Sequence, residues 1–190
     1  MKFLNLALSA ILLTACASTP RNPNPLAAAP VLAAASVDLD RYIAGRWYVI
    51  ANIPYFAERG DIASYVEYSR RPDGQLNDWY YFRDGNFNLP HQKKEGIARV
   101  LPDSNNARWE VQFQWPVWSD YVVLYVDADY QYAVIGHPSK DYGWIFSREA
   151  RMTDDRYAEL LGVLGANGYD TRRLFKIPQV ADQLGAPGFQ

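Results

Sequence analysis

Between Gly45 and Arg148 the chain is divided into eight short runs rich in β-branched and aromatic residues, each ended by residues that favour turns. The runs cover 46–52, 64–70, 75–83, 94–101, 108–115, 121–126, 132–137 and 143–148. The breaks hold Pro72-Asp73-Gly74, Asp84-Gly85-Asn86, Asp127-Ala128-Asp129 and similar clusters, in which proline fixes φ and glycine or asparagine tolerates positive φ. Connections this short join antiparallel neighbours, and a series of such strands exposes two edges unless the sheet closes on itself. The spacing therefore predicts an all-β protein, an eight-stranded antiparallel up-and-down barrel.

The run at 108–115 shows most clearly which way the side chains point. Period two sets Trp109, Val111, Phe113 and Trp115 on one face and Glu110, Gln112 and Gln114 on the other. The same alternation turns Tyr121, Val123 and Tyr125 inward from the sixth run, and Val66 and Tyr68 inward from the second. Aromatic residues make up 15% of the chain, which suits strands around a large apolar interior. After the eighth run the period changes. Thr153-Asp154-Asp155 reads as a helix cap followed by two carboxylates in the first turn, Tyr157, Leu160, Leu161 and Leu164 share one helical face, and Asn167-Gly168 supplies a stop. One C-terminal α-helix is expected to pack outside the barrel, followed by a short strand near 174–177.

Upstream of the barrel the composition differs. Lys2, an apolar run at 3–13 and the small residues Thr14 and Ala15 precede the single cysteine, Cys16, in the layout of a secretion signal. The apolar run is about 11 residues, short of the ~20 that a spanning helix needs. Leu13-Thr14-Ala15-Cys16 resembles the lipobox of bacterial lipoproteins, which implies cleavage before Cys16 and a diacylglycerol on its sulfur; Ala17 rather than aspartate after it implies the outer membrane. Residues 17–36 hold four prolines and no acidic residue and read as a tether that reaches up to about 60 Å. The division expected is a signal peptide at 1–15, a lipidated tether at 16–36, a barrel domain at 37–180 and a tail at 181–190.

The chemistry of most enzymes is missing. A lone thiol outside the barrel offers no internal disulfide and no nucleophile in the barrel. Two histidines, His91 and His137, lack metal-ligand spacing, so no metal and no cofactor is expected. His137, Ser139 and Asp141 lie too close on one turn to converge as a triad and read as a solvated turn, which leaves a lipid-modifying hydrolase as a minor alternative. With 19 basic and 21 acidic residues there is no field for nucleic acid.

Gly45-Arg46-Trp47 at the start of the first run, Asp129-Tyr130 before the seventh, Arg148 after the eighth and Phe56, Glu58, Arg59 and Gly60 in the first loop together resemble the lipocalin family. The similarity is to its bacterial outer-membrane lipoprotein type and apolipoprotein D-like branch, over about residues 39–179. It implies that Trp47 forms the barrel floor with Arg148 packed across its ring, and that such proteins serve envelope maintenance by storing or transporting lipid. A homodimer is left open. A guanidinium on an indole face has its own physical rationale in cation–π attraction.

With the floor at Trp47, the connections at 53–63, 84–93, 116–120 and 138–142 form the mouth. Val49, Val66, Tyr68, Tyr80, Val111, Phe113, Trp115, Tyr121, Val123 and Trp144 are the expected ligand lining, although rings of this size also fill barrels by themselves. A fatty acid or lysophospholipid is the expected guest, since about 14 buried methylenes contribute on the order of 11 kcal/mol before ordering costs. Phe56, Phe87, Pro116, Val117 and Trp118 place apolar groups at the rim, and Arg59, Arg83, His91, Lys93, Lys94 and Lys140 are candidate headgroup contacts. The competing reading is a structural or protein-binding lipoprotein with a filled barrel.

Overall fold

A computed structural model describes residues 35–190. The expected signal peptide, Cys16 and most of the expected tether lie outside the described residues. Eight strands succeed one another as expected: β1 (Arg46–Asn52), β2 (Asp61–Arg70), β3 (Leu76–Asp84), β4 (Gln92–Val100), β5 (Arg108–Gln114), β6 (Val117–Val126), β7 (Tyr132–Gly136) and β8 (Gly143–Ser147). Each pairs antiparallel with the next, and β1 pairs with both β2 and β8, so the sheet is a closed barrel. A short β9 (Phe175–Lys176) adds to the mouth end of β1.

The barrel has a core on each side of its wall. Inside, Trp47, Val49, Val66, Tyr68, Leu76, Tyr80 and Trp109 form one cluster with further residues. Outside, Ile50, Val122, Leu124, Val134 and Ile145 meet Leu160 and Leu164 of helix α2 (Asp154–Ala166). Thr153 caps that helix by accepting from the Arg156 amide at 3.3 Å, and Gly168, at φ +80°, ends it in the left-handed conformation that side chains disfavour. Numbered in chain order, α2 comes after a five-residue helix, α1 (Leu39–Ile43), that is too short to show periodicity and is absent from the sequence reading. It lies under the barrel and buries Tyr42 completely.

Register shifts break the period-two pattern at Val49/Ala51, Ile62/Tyr65, Val111/Gln114 and Val123/Tyr125. Each inserts an extra residue on one strand and reverses the facing of the side chains beyond it. Tyr125, expected inside, therefore packs with the outer cluster. The expected mouth loop at 116–120 is a tight hairpin instead, because Val117 already pairs with Gln114. The last ten residues, separated as a tail by sequence, lie against the barrel: the Gln190 amide donates to the Lys176 carbonyl at 2.9 Å and its side chain to Asn52 Oδ1 at 2.7 Å. Every ladder of the closed sheet and both clusters fall within residues 35–190, so this segment contains what it needs to fold as a unit.

Candidate ligand site

The floor is built around Trp47. Its Nε1 donates to the Tyr42 carbonyl at 2.8 Å, and the Arg148 guanidinium lies 3.5 Å from its ring centroid. Arg148 also donates to four carbonyls, those of Tyr130 at 3.2 Å, Arg46 at 2.9 Å, Arg41 at 3.1 Å and Tyr42 at 3.0 Å. One planar fork thus ties α1, β1 and the turn before β7. Burial lowers the Arg148 pKa to about 10, which leaves it charged at neutral pH. Gly45, the glycine of the Gly-x-Trp motif, has φ +71°, and a Cβ built there would stand 3.8 Å from Arg148 Nη1.

Above the floor the barrel is filled by its own rings. Trp109 stacks on Tyr121 at 5.1 Å between centroids and meets Tyr42 and Tyr68 edge-on, each at 5.4 Å. The Tyr42 and Tyr121 hydroxyls are 2.7 Å apart and those of Tyr68 and Tyr121 3.2 Å apart. Burial pushes the Tyr68 and Tyr121 pKa values well above 10, so the trio stays neutral. Of the expected lining, Tyr68 and Tyr121 therefore belong to an aromatic plug whose hydroxyls bond to one another. Val49, Val66 and Val123 are buried on the inner side, with Val111 half-buried against the same cluster.

Towards the mouth the wall becomes polar. Tyr80, whose parity is ambiguous in sequence, faces inward, stacks on Phe82 at 5.6 Å and donates to Asp61 Oδ2 at 3.1 Å. Lys94 stands 3.3 Å from the same carboxylate and 4.2 Å from the Phe82 ring centroid. The first loop closes over this end through Glu58, which accepts from Asn52 Nδ2 at 2.7 Å, Trp144 Nε1 at 2.9 Å and the Tyr55 hydroxyl at 3.1 Å. Burial raises the Glu58 pKa against those three bonds and also raises that of Asp61. Trp144 is thus half-buried at the rim, holding the loop.

Phe113 and Trp115, expected to line the interior, are 44% and 84% exposed. The shift after Val111 ends the alternation, so Phe113 lies partly exposed over Gly96 of β4 and Trp115 projects to solvent. Phe56 and Val117 are exposed at this end too. Among the candidate cations Lys94 enters the mouth and Arg59 borders a depression beside the first loop. Lys93 pairs with Glu95, Arg83 donates to the Phe87 carbonyl, His91 Nε2 lies 3.1 Å from the Ala63 carbonyl, and Lys140 lies against Gly168. His137 Nδ1 is 2.8 Å from Ser139 Oγ, but the Asp141 carboxylate pairs with Arg173 at 3.1 Å, so no relay forms.

The closed barrel, the arginine-capped floor and the outer helix agree with what known families show: residues 37–179 match the lipocalin-like domain. The chain belongs to the lipocalin family. This is a family of binding proteins rather than enzymes. Temperature-induced lipocalin-1 of Arabidopsis thaliana is 36% identical over 156 residues, 75% of this chain and 80% of that protein. The outer membrane lipoprotein Blc of Escherichia coli K12 is 32% identical over 175 residues, 91% of this chain and 93% of the relative. Insecticyanin from the tobacco hornworm, Manduca sexta, shares the fold at TM-score 0.61 and 20% identity, covering 81% of this chain and 86% of that one.

Tyr42, Asp78, Asp61 and Phe82 are among the interior residues of this lipocalin that escape the sequence reading. Once Leu76, Tyr80 and Phe82 are placed inward, alternation along β3 turns Asp78 inward as well, and it is 3% exposed. That parity is the signal that finds it.

Proposed function

We propose that this lipocalin is a membrane-anchored lipid carrier that holds a fatty acid or lysophospholipid in its barrel, serving lipid storage or transport in envelope maintenance. The single observation behind the reading is a tube closed at one end by Trp47 and Arg148, with Val49, Val66 and Val111 on its inner side. The aromatic plug shortens the usable depth, so the acyl chain occupies the mouth side of Tyr121 and Tyr68. The headgroup stays at the rim. There, Arg59, Arg172, Arg173 and Phe175 border a surface depression of about 640 Å³ beside the first loop.

Cleavage before Cys16 and acylation of its sulfur supply the anchor in this reading. Among the described residues no helix is long and apolar enough to cross a membrane. The name of the Escherichia coli relative supports an outer-membrane location; in this reading the barrel faces the periplasm. Replacing Cys16 with serine in the full chain is expected to move it from the membrane pellet to the soluble fraction; unchanged sedimentation after carbonate washing counts against the anchor.

Mass spectrometry of small molecules copurifying with residues 35–190 tests the carrier directly. One acyl-chain lipid per barrel is the expected result, together with saturable quenching of tryptophan fluorescence on adding lysophospholipid. The exposed Phe56 and Trp115 and the ring-filled floor favour a second reading, a protein-binding lipoprotein with no guest. A lipid-free barrel that stays silent in the titration selects that second reading.

A further inference from the structure

We propose that the guest of this barrel carries a hydrogen-bond donor, an O–H or N–H group, at its buried end, where it meets the carboxyl group of Asp78. The inference rests on the carrier reading and names the chemistry that reading leaves open. Asp78 projects from the inner face of β3 between Leu76 and Tyr80. It is 3% exposed, and its Oδ1 has no hydrogen-bond partner among the described residues. A buried polar atom in that state is uncommon, because its lost hydration is not replaced.

The surroundings define what would complete it. Across the sheet Asp78 faces Tyr68 on β2 and Gly96 on β4, so one neighbour ends in a hydroxyl and the other has no side chain. The space over Gly96 is held by the Phe113 ring, whose atoms lie 2.9 Å from where a Cβ would be. That ring is 44% exposed, so rotating it outward opens a way from the rim towards Asp78. The nearby cations are committed elsewhere, Lys94 to Asp61 and Arg148 to its four carbonyls. Burial, with a smaller contribution from Glu58, holds the Asp78 pKa at about 8, so at neutral pH the group is mainly a carboxylic acid that can both accept and donate.

A plain methyl terminus leaves Asp78 unsatisfied. A carboxylate entering head-first would pass the acidic side chains of Asp61 and Glu58 with only the Lys94 ammonium, already paired to Asp61, for charge balance. An amphiphile with its acidic group at the rim and a hydroxyl or amine near the far end of the chain fits both ends. Asp78 lies six residues below Asp84 at the rim, roughly 20 Å along the strand, a depth that suits a long acyl chain.

The test is calorimetric titration of residues 35–190 with hexadecanoic acid, its 2-hydroxy and 16-hydroxy derivatives, and the 16-methoxy ether. The 16-hydroxy acid is expected to bind at least 10-fold more tightly than the other three. D78L should abolish that preference without weakening hexadecanoic acid, while D78N, whose amide oxygen still accepts, should keep most of it. Near-UV circular dichroism establishes that each variant is folded, and D78N serves where D78L fails to fold. If hexadecanoic acid binds and the 16-hydroxy acid binds no better, or if D78L keeps the preference, this inference falls and the carrier stands. If none of the four binds, both fall. A 16-amino acid in a second series distinguishes N–H from O–H.

Discussion

Replacing Arg148 with alanine is expected to destabilise the folded domain by about 3 kcal/mol and to lower its Tm by roughly 10 °C. The change removes a cation–π contact at 3.5 Å and takes the arginine donor from the carbonyls of Tyr130, Arg46, Arg41 and Tyr42, of which Tyr42 keeps the bond from Trp47 Nε1. Lysine should restore little, because a single ammonium cannot spread over four acceptors in a plane. Arg151, which pairs with Asp182 at 2.8 Å on the surface, is the control, and its alanine variant should shift stability by less than about 1 kcal/mol. Urea unfolding followed by tryptophan fluorescence measures both. Equal, small effects at Arg148 and Arg151 would show that the floor is held by the rings alone.

Stability should also fall as pH rises from about 4 to about 8, and Asp78 is the main cause. In the unfolded chain its carboxyl releases a proton near 3.8, whereas in the barrel burial holds the pKa at about 8. Between those values the unfolded state binds fewer protons, so each step up in pH favours it. The stability present below pH 4 is therefore lost through this window and levels off above pH 8. At about 1.4 kcal/mol for each tenfold in proton affinity, the loss is on the order of 5 kcal/mol. Glu58 and Asp61, both raised by burial, act in the same direction; Tyr42 and Tyr68 stay protonated throughout, and Arg148 stays charged. Subtraction isolates Asp78: D78N should flatten most of the slope and gain stability at pH 8. A slope unchanged in D78N would assign it to the loop carboxyls.

The architecture is legible in the sequence because turn chemistry and period two are local signals. β1 begins and ends at the expected residues, most other strand boundaries shift by a residue or two, and the caps of α2 are read correctly from Thr153 and Gly168. Trp47 and Arg148 take their places through the family resemblance, and the contact between them is what the aromatic and cationic chemistry leads one to expect.

The interior is less legible, for two physical reasons. A bulge adds one residue without any compositional mark, so alternation read from Trp109 carries correctly through Val111 and misplaces Trp115; the same fault turns Tyr125 to the wrong side of the wall. Acidic residues are read as solvated by default, which hides Asp78 in a strand that otherwise alternates cleanly. α1 escapes for a third reason: five residues make barely more than one turn, and its burial of Tyr42 comes from tertiary packing rather than from helical periodicity.

The chain enters the barrel domain on the side of Trp47: the Ala35 amide donates to the Val123 carbonyl and the Val37 amide to that of Asn105, in the turn between β4 and β5. A molecule suspended by its amino-terminal lipid would hang with its sealed base nearest the bilayer and its doorway facing the aqueous space. Exchange of cargo with that bilayer would then require the leash to let the body turn over, whereas exchange with a facing surface would not.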